Sequence, residues 1–208
     1  MTTILIVDDH PSLRLVLRQH LSQILGVTGI LEAGNGQDAI QAVRQHAPGL
    51  VILDIDLPRM NGLDAIPRMK SLQPDVRILV ISGQDPSVFA PRVKAAGGQG
   101  YISKAQEMPE IVRAVEAVMA GYTIFPDIGR SQRGAGKAAG AGTLDGLSNK
   151  ELIVMQMLVR GMSNKEIADA LYISNKTVST YKTRLMDKLG VRSLVELVDF
   201  ARKRDAAR

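Results

Sequence analysis

Three short apolar runs that end in charge restrict the fold more than anything else in this chain. Ile4-Leu-Ile-Val7 runs into Asp8-Asp9, Leu50-Val-Ile-Leu53 into Asp54, and Gly100-Tyr-Ile-Ser103 into Lys104. Short apolar runs bounded by polar residues and separated by helical patterns read as parallel strands in βα units. Residues 1–125 give five such units, with strands near Ile4–Val7, Gly29–Ala33, Leu50–Asp54, Arg77–Ser82 and Gly100–Ile102. Between them, Leu13, Leu17, Leu21 and Ile24 make one helical stripe, and Ile111, Val115 and Val118 another. Pro48-Gly49, Pro58 and Gly62 mark turns. This alternation predicts an α/β unit whose parallel sheet is covered on both faces. In such sheets the chemistry gathers at the carboxyl ends of the strands. Asp8, Asp9, Asp54 and Lys104 should therefore meet at one edge. Three carboxylates and an ammonium suit a hard, oxygen-liganded cation together with a phosphoryl group.

The 208 residues allow one or two domains, and a hydrophobic fraction of 45% is ample for a packed core. No apolar run approaches the ~20 residues of a membrane span. Met1-Thr-Thr3 leads directly into the first strand, so no signal peptide is expected. With zero cysteines, disulfides, thiolate catalysis and cysteine-held metals are excluded. A cytoplasmic location is expected, and no membrane partner.

The net charge of +5 is unevenly placed. Residues 1–125 carry 11 basic and 12 acidic side chains, whereas residues 147–208 carry 12 and 7. A basic module joined to a near-neutral one points to a polyanion, usually nucleic acid. Between the two, residues 129–146 are glycine-rich and almost devoid of large apolar side chains. Such a segment buries too little surface to offset its ordering entropy, so 126–146 is expected to be a flexible linker.

Residues 147–208 read as four helices. Ser148 and Glu151 form a capping box for the first, which runs to about Arg160 and stops at Gly161. Ser163 or Asn164 caps a short second helix through Leu171, and Tyr172-Ile-Ser174 makes a tight turn. The third helix runs from about Asn175 to Leu189 and stops at Gly190, and the fourth from about Ser193 to Arg202. A short helix, a tight turn and a longer polar helix make a helix-turn-helix pattern.

The first 125 residues resemble the receiver domain of bacterial two-component response regulators. The resemblance is carried by Ile-Val-Asp8-Asp9, Leu-Asp54-Ile-Asp56-Leu-Pro58-Arg-Met-Asn-Gly62, Ile-Ser82-Gly and Tyr101-Ile-Ser-Lys104. It implies a flavodoxin-like sheet of order 2-1-3-4-5 and a phosphoacceptor at Asp54. It also implies Mg²⁺ held by Asp9 and Asp54, by the Asp56 main-chain carbonyl, and by Asp8 through water. Lys104 would pair with a phosphoryl oxygen, Ser82 would donate to another, and Tyr101 would change rotamer with it. Those roles are physically coherent, because a carboxylate attacks phosphorus poorly until charge repulsion is neutralised. Two positions depart from the common pattern. Ala105 stands where many receivers have proline, which leaves the loop geometry open. Asn61 stands where aspartate is commoner, a change expected to matter little.

The C-terminal segment resembles the LuxR-type helix-turn-helix, and the whole chain resembles the NarL/FixJ class. The carrying residues are Leu147-Ser-Asn-Lys-Glu151, Gly161-Met-Ser-Asn-Lys-Glu-Ile-Ala168, Leu171-Tyr-Ile-Ser174, Lys176-Thr-Val-Ser-Thr-Tyr-Lys182 and Lys188-Leu189. On the third helix, Val178, Leu185 and Leu189 should face the core with Ile167, Ala168 and Leu171. Thr177, Ser179, Thr180, Lys182, Thr183 and Arg184 are left for DNA. By position in the family, Ser179, Thr180 and Thr183 would face bases, and Lys165, Lys176 and Lys188 would meet phosphates. Ser179 and Tyr181 replace the commoner lysine and histidine, which favours degenerate or shape-based readout. The run Ser-Thr-Tyr-Lys-Thr-Arg is similar to that of the BvgA/EvgA subgroup, which implies virulence and adhesion genes as targets. The apolar stripe Leu194, Leu197, Val198 and Ala201 serves either as core or as a dimer contact.

The resemblance implies a transcription factor rather than an enzyme. A sensor histidine kinase or phosphotransfer protein would modify Asp54, and a homodimer would then bind double-stranded DNA. Asp54-Ile-Asp56 also looks like the haloacid-dehalogenase phosphatase signature, but there the second acidic cluster lies downstream, and here it lies upstream. A LuxR-type sensor of a small apolar signal is disfavoured by four Tyr, three Phe and no Trp. A scaffold receiver acting through protein contacts alone is the remaining alternative.

Overall fold

Five strands form where the apolar runs predict them. β1 (Thr2–Val7), β2 (Val27–Ala33), β3 (Leu50–Leu53), β4 (Arg77–Ser82) and β5 (Gly100–Ser103) pair in the order β2-β1-β3-β4-β5, every pair parallel. The computed structural model describes residues 1–127 and 144–206. Within the first unit, Met1–Gly129, the strands alternate with α1 (Pro11–Leu21), α2 (Gly36–His46), α3 (Gly62–Leu72), α4 (Pro86–Ala95) and α5 (Met108–Met119). Side chains point alternately to the two faces of a strand. Ile4, Ile6, Leu50, Ile52, Leu79 and Ile81 fill one face together with Leu17 and Leu21 of α1 and Ile111 and Val115 of α5. Leu5, Val51, Ile78 and Val80, the intervening residues, are equally buried. This is why the strands read as continuous apolar runs: both faces are covered.

The helix stripes hold with one adjustment. Ile24 lies beyond the end of α1 but still packs into the same core cluster, and Leu13 is only partly buried against it. The expected β3 included Asp54; β3 instead ends at Leu53, and the Asp54 N–H extends the ladder by donating to the Val7 carbonyl at 2.9 Å. That step leaves the Asp54 side chain at the carboxyl edge of the central strand.

The second unit, Arg130–Arg208, holds α6 (Asn149–Val159), α7 (Asn164–Leu171), α8 (Asn175–Leu189) and α9 (Leu194–Ala206). Capping boxes at Ser148/Glu151 and Ser163/Glu166 start α6 and α7, so Ser163 rather than Asn164 is the cap. α8 starts at the Ser174 cap and stops at Gly190 in the left-handed region, φ 69°. Ile167, Ala168, Val178, Leu185, Leu189 and Leu197 are buried in this unit, and Leu171 is half-buried. α9 runs four residues beyond the expected Arg202. The linker expected over 126–146 lies, for 128–143, outside the described residues. Its last three residues do not behave as linker: Leu144–Gly146 form a 3-10 turn whose Leu144 is buried. Leu144 is an apolar anchor that the composition of the stretch as a whole concealed.

Candidate functional site

Asp8 and Asp54 are buried at the carboxyl ends of β1 and β3, and Lys104 follows β5. The Lys104 ammonium bridges the two carboxylates, 2.6 Å from Asp8 Oδ2 and 2.7 Å from Asp54 Oδ2. The other oxygen, Asp54 Oδ1, is buried with no hydrogen-bond partner. Orphaned buried carboxylate oxygens are costly and mark a place where a ligand completes the shell. Burial raises the Asp54 carboxyl to about 6; the Lys104 ammonium opposes this, and the Asp8 and Asp56 carboxylates add to it. Burial would lower the Lys104 ammonium, but Asp54 and Asp8 outweigh it and hold it above the usual lysine range.

Asp9 is more exposed, and its Oδ1 lies 2.7 Å from His10 Nδ1. His10 also sits 3.0 Å from Asp8 Oδ1. Ligand atoms of Asp8, Asp9, His10 and Asp54 all lie within 4.8 Å of one another. The donor set is dominated by carboxylate oxygen, and Asp54 Oδ1 has no protein partner, which suits a hard divalent cation. His10 was not foreseen, although it directly follows the aspartate pair. The Asp56 carboxylate does not join this cluster. It turns away to Gln84, whose Nε2 donates to both of its oxygens at 2.7 and 2.6 Å.

Gln84 also ties Tyr101 to the site. The buried Tyr101 hydroxyl donates to the Gln84 carbonyl at 2.6 Å, and the Gln84 N–H donates to Ser82 Oγ at 3.3 Å. Burial pushes the Tyr101 phenol well above its ordinary range, against the Ser82 hydroxyl, so it stays a donor. Ser82, at the end of β4, is fully buried. Nothing in the sequence singles out Gln84 except its place two residues after Ser82.

Two loops hold Asp54 in place. Gly62 begins α3 directly under the Asp54 carbonyl, and a Cβ there would overlap that oxygen. Asn61 caps α3 through its Oδ1, which accepts from Leu63 N at 2.8 Å, while its Nδ2 donates to the Ile55 carbonyl at 2.9 Å. An ionised aspartate could make only the first of these bonds, so the asparagine has a defined task. Ala105 likewise uses what proline lacks: its N–H donates to Ser103 Oγ at 3.2 Å.

In the second unit, Lys165, Lys176, Ser179, Thr180, Thr183 and Arg184 are exposed and Lys182 is half-buried. Three residues expected on DNA make contacts with other side chains of the unit. The Lys188 ammonium lies 2.7 Å from the buried Glu151 carboxylate, the N3 residue of the α6 capping box. The Thr177 hydroxyl meets Ser174 Oγ at 2.8 Å in the α8 cap. Ser179 Oγ accepts from Asn164 Nδ2 at 3.2 Å. Asn164 and Glu151 were not foreseen as partners of α8, because both contacts depend on how the helices pack.

Residues 4–116 match the response regulator receiver domain, and residues 145–201 match the luxR family of bacterial regulatory proteins. The transcription regulator BvgA of Bordetella pertussis is 46% identical over 206 residues, covering 98% of each chain. A LuxR-family two-component response regulator from Aurantimonas is 32% identical with TM-score 0.58, over 62% of this chain and 92% of that one. RcsB of Salmonella enterica, solved on the rprA promoter with the phosphomimetic BeF₃⁻, is 25% identical with TM-score 0.65, over 96% of this chain and 98% of that one.

Proposed function

Since the chain belongs to the DNA-binding response regulators that join a receiver to a LuxR-type helix-turn-helix and control transcription, we propose that Asp54 is its phosphoacceptor and that acyl phosphate formation there governs promoter binding. The observation that carries this reading is the Lys104 ammonium bridging Asp8 and Asp54, with Asp54 Oδ1 left bare. An Asp54 oxygen attacks the phosphorus of a phosphohistidine on a sensor kinase or phosphotransfer protein. The P–O bond forms as the P–N bond breaks, and the imidazole leaves with the bonding pair. Lys104 offsets the charge that gathers on the transferring oxygens and holds the carboxylate ionised. Asp8, Asp9 and Asp54, with the Asp56 main-chain carbonyl, would hold Mg²⁺. When bound, that ion neutralises phosphoryl charge and aligns the donor.

The product carries a charge of roughly −1.5 to −2 and three acceptor oxygens, by analogy with phosphorylated hydroxyls. Ser82 donates to one oxygen and Lys104 shifts to another. Ser82 is the acceptor for Gln84 N, and Gln84 is the acceptor for Tyr101. Movement of Ser82 therefore loosens the Tyr101 hydroxyl and lets the ring change rotamer. The regulator then dimerises and binds paired half-sites, with α8 in the major groove. Each Asp54 takes up one phosphoryl group, so the chain acts as a stoichiometric switch rather than as an enzyme. No described helix is long and apolar enough to cross a membrane, in keeping with work on chromosomal DNA in the cytoplasm. The similarity to BvgA, a regulator of virulence factors, supports virulence genes as targets. Acetyl phosphate with Mg²⁺ should label the wild-type chain and strengthen promoter binding, and Asp54→Asn should remove both effects. Full labelling of that variant would falsify the assignment.

A further inference from the structure

The hydroxyls on the exposed face of α8 are not equivalent. Thr180 Oγ1 donates to the Lys176 carbonyl at 3.0 Å, and Thr183 Oγ1 donates to the Ser179 carbonyl at 3.1 Å. A hydroxyl has one proton and two lone pairs. Both threonines have therefore committed their proton to their own helix, and what they offer outward is lone pairs and a methyl group. Ser179 differs. Among the described residues its Oγ accepts from Asn164 Nδ2 at 3.2 Å and donates to no carbonyl of α8. A lone pair is occupied and the proton is free. Asn164 is the first residue of α7, half-buried, and reaches α8 across the helix-turn-helix.

Resting on the reading that α8 enters the major groove, we propose that Asn164 is a positioning residue that fixes Ser179 as a hydrogen-bond donor to bases, while Thr180 and Thr183 act as acceptors. The major groove presents acceptors at purine N7, guanine O6 and thymine O4, and donors at adenine N6 and cytosine N4. Ser179 is then matched to the first group. Thr183 is matched to the second, and its methyl also suits the methyl of a neighbouring thymine. The readout is therefore polar in a defined sense along the helix, not the indiscriminate hydroxyl bonding that Ser and Thr offer when free. A lysine at position 179 would donate without help from α7; a serine is biased toward donating because Asn164 occupies one of its two lone pairs and orients the proton.

The test uses the full-length chain and a site first defined by in vitro selection. Each purine of the site is replaced in turn by its 7-deaza analogue, guanine by 2-aminopurine and thymine by 5-methyl-2-pyrimidinone, to delete one acceptor at a time. At one position the wild type should lose about 3–10-fold in affinity, the range of a single direct contact. Ser179→Ala and Asn164→Ala should each lose the same discrimination at the same position, and the double variant should lose no more. The salt dependence of binding should stay as in the wild type, because neither residue is assigned to a phosphate. Asn164→Asp keeps the shape of the residue but accepts the Ser179 proton, so it too should erase the discrimination. Because each ratio compares one variant on two DNAs, any general weakening cancels. If Asn164→Ala and Asn164→Asp kept the full discrimination that Ser179→Ala loses, or if no acceptor deletion affected the wild type, the proposal would be overturned. If the wild type selected no site at all, the groove-binding reading beneath it would fail instead.

Discussion

The Lys188 ammonium lies 2.7 Å from the Glu151 carboxylate and ties the last turn of α8 to the first turn of α6. Glu151 is buried, and its Oε2 also accepts from Ser148 N at 2.7 Å. Burial pushes against ionisation, yet the Lys188 and Ser148 donors hold this carboxyl below the usual glutamate range. The orientation of α8 is thus fixed at its far end by a contact that also caps another helix.

Lys188→Met should therefore act on stability and little on DNA. Removing it strands a buried carboxylate with fewer donors, at a cost of about 1–3 kcal/mol, toward the low end because Lys188 is partly solvated. The loss should shrink as pH falls through the carboxylate range, because a group with a depressed folded pKa contributes only while ionised. Urea denaturation at pH 7 and pH 4 checks this. Equal destabilisation at both pH values would show that the charge of Glu151 is not involved.

Asp54 has the opposite linkage. Its carboxyl is raised from 3.8 to about 6 in the folded chain, chiefly by burial. Between those values the folded state binds more protons than the unfolded state, so stability falls as pH rises, and this contribution is lost above about 6. The full window is worth roughly 2–3 kcal/mol. In magnesium-free buffer, the stability of wild type minus that of Asp54→Asn should decline from pH 4 to pH 6 and level off above pH 7. Added Mg²⁺ should flatten the decline by favouring the carboxylate. A difference that stayed constant across the range would mean that Lys104, not burial, controls the group.

Asn61→Asp should be destabilising although it restores the commoner residue. The carboxylate can still cap α3 at Leu63 N, but it cannot donate to the Ile55 carbonyl, which lies 2.9 Å from Asn61 Nδ2. Placing two acceptors face to face in a buried loop costs about 1–3 kcal/mol. Thermal denaturation of the full-length variant reads this, with Asn61→Ala as a control that loses both bonds without adding charge. Stability equal to wild type would show that the Ile55 carbonyl is satisfied by its backbone donors alone.

What was legible in the sequence is what local chemistry determines. β1, β3 and β4 read as continuous apolar runs because both of their faces are covered, whereas the edge strand β2 keeps Thr28 and Glu32 exposed. Ser148, Ser163 and Gly190 start and stop helices through bonds that span only a few residues. The convergence of Asp8, Asp54 and Lys104 followed from strand order, since parallel strands bring their ends together. What was illegible is which side chain meets which across the fold. Gln84 and Asp56 are 28 residues apart and Lys188 and Glu151 are 37 apart. No pattern of period 2 or 3.6 connects such pairs; packing alone does. Leu144 shows the complementary failure, because one buried leucine at the end of a glycine-rich stretch is invisible to composition averaged over the stretch.

Lys176 provides the sharpest contrast with Lys188. It sits in the first turn of α8, exposed, with no ion-pair partner among the described residues, on the side of the helix that carries Thr180 and Thr183. A lysine so placed is free to displace a condensed counterion from a phosphate, and each such contact adds about 0.9 to the slope of log affinity against log salt. Lys176→Ala should thus weaken binding to selected and random DNA alike and lower that slope by roughly one. Lys188→Met should leave the slope unchanged, because its ammonium is already neutralised by Glu151. Titrations of both variants on both DNAs at several salt concentrations separate the two behaviours. A slope lowered equally by the two substitutions would mean that Lys188 leaves Glu151 for the phosphate on binding, and that the α6–α8 tie opens when DNA is engaged.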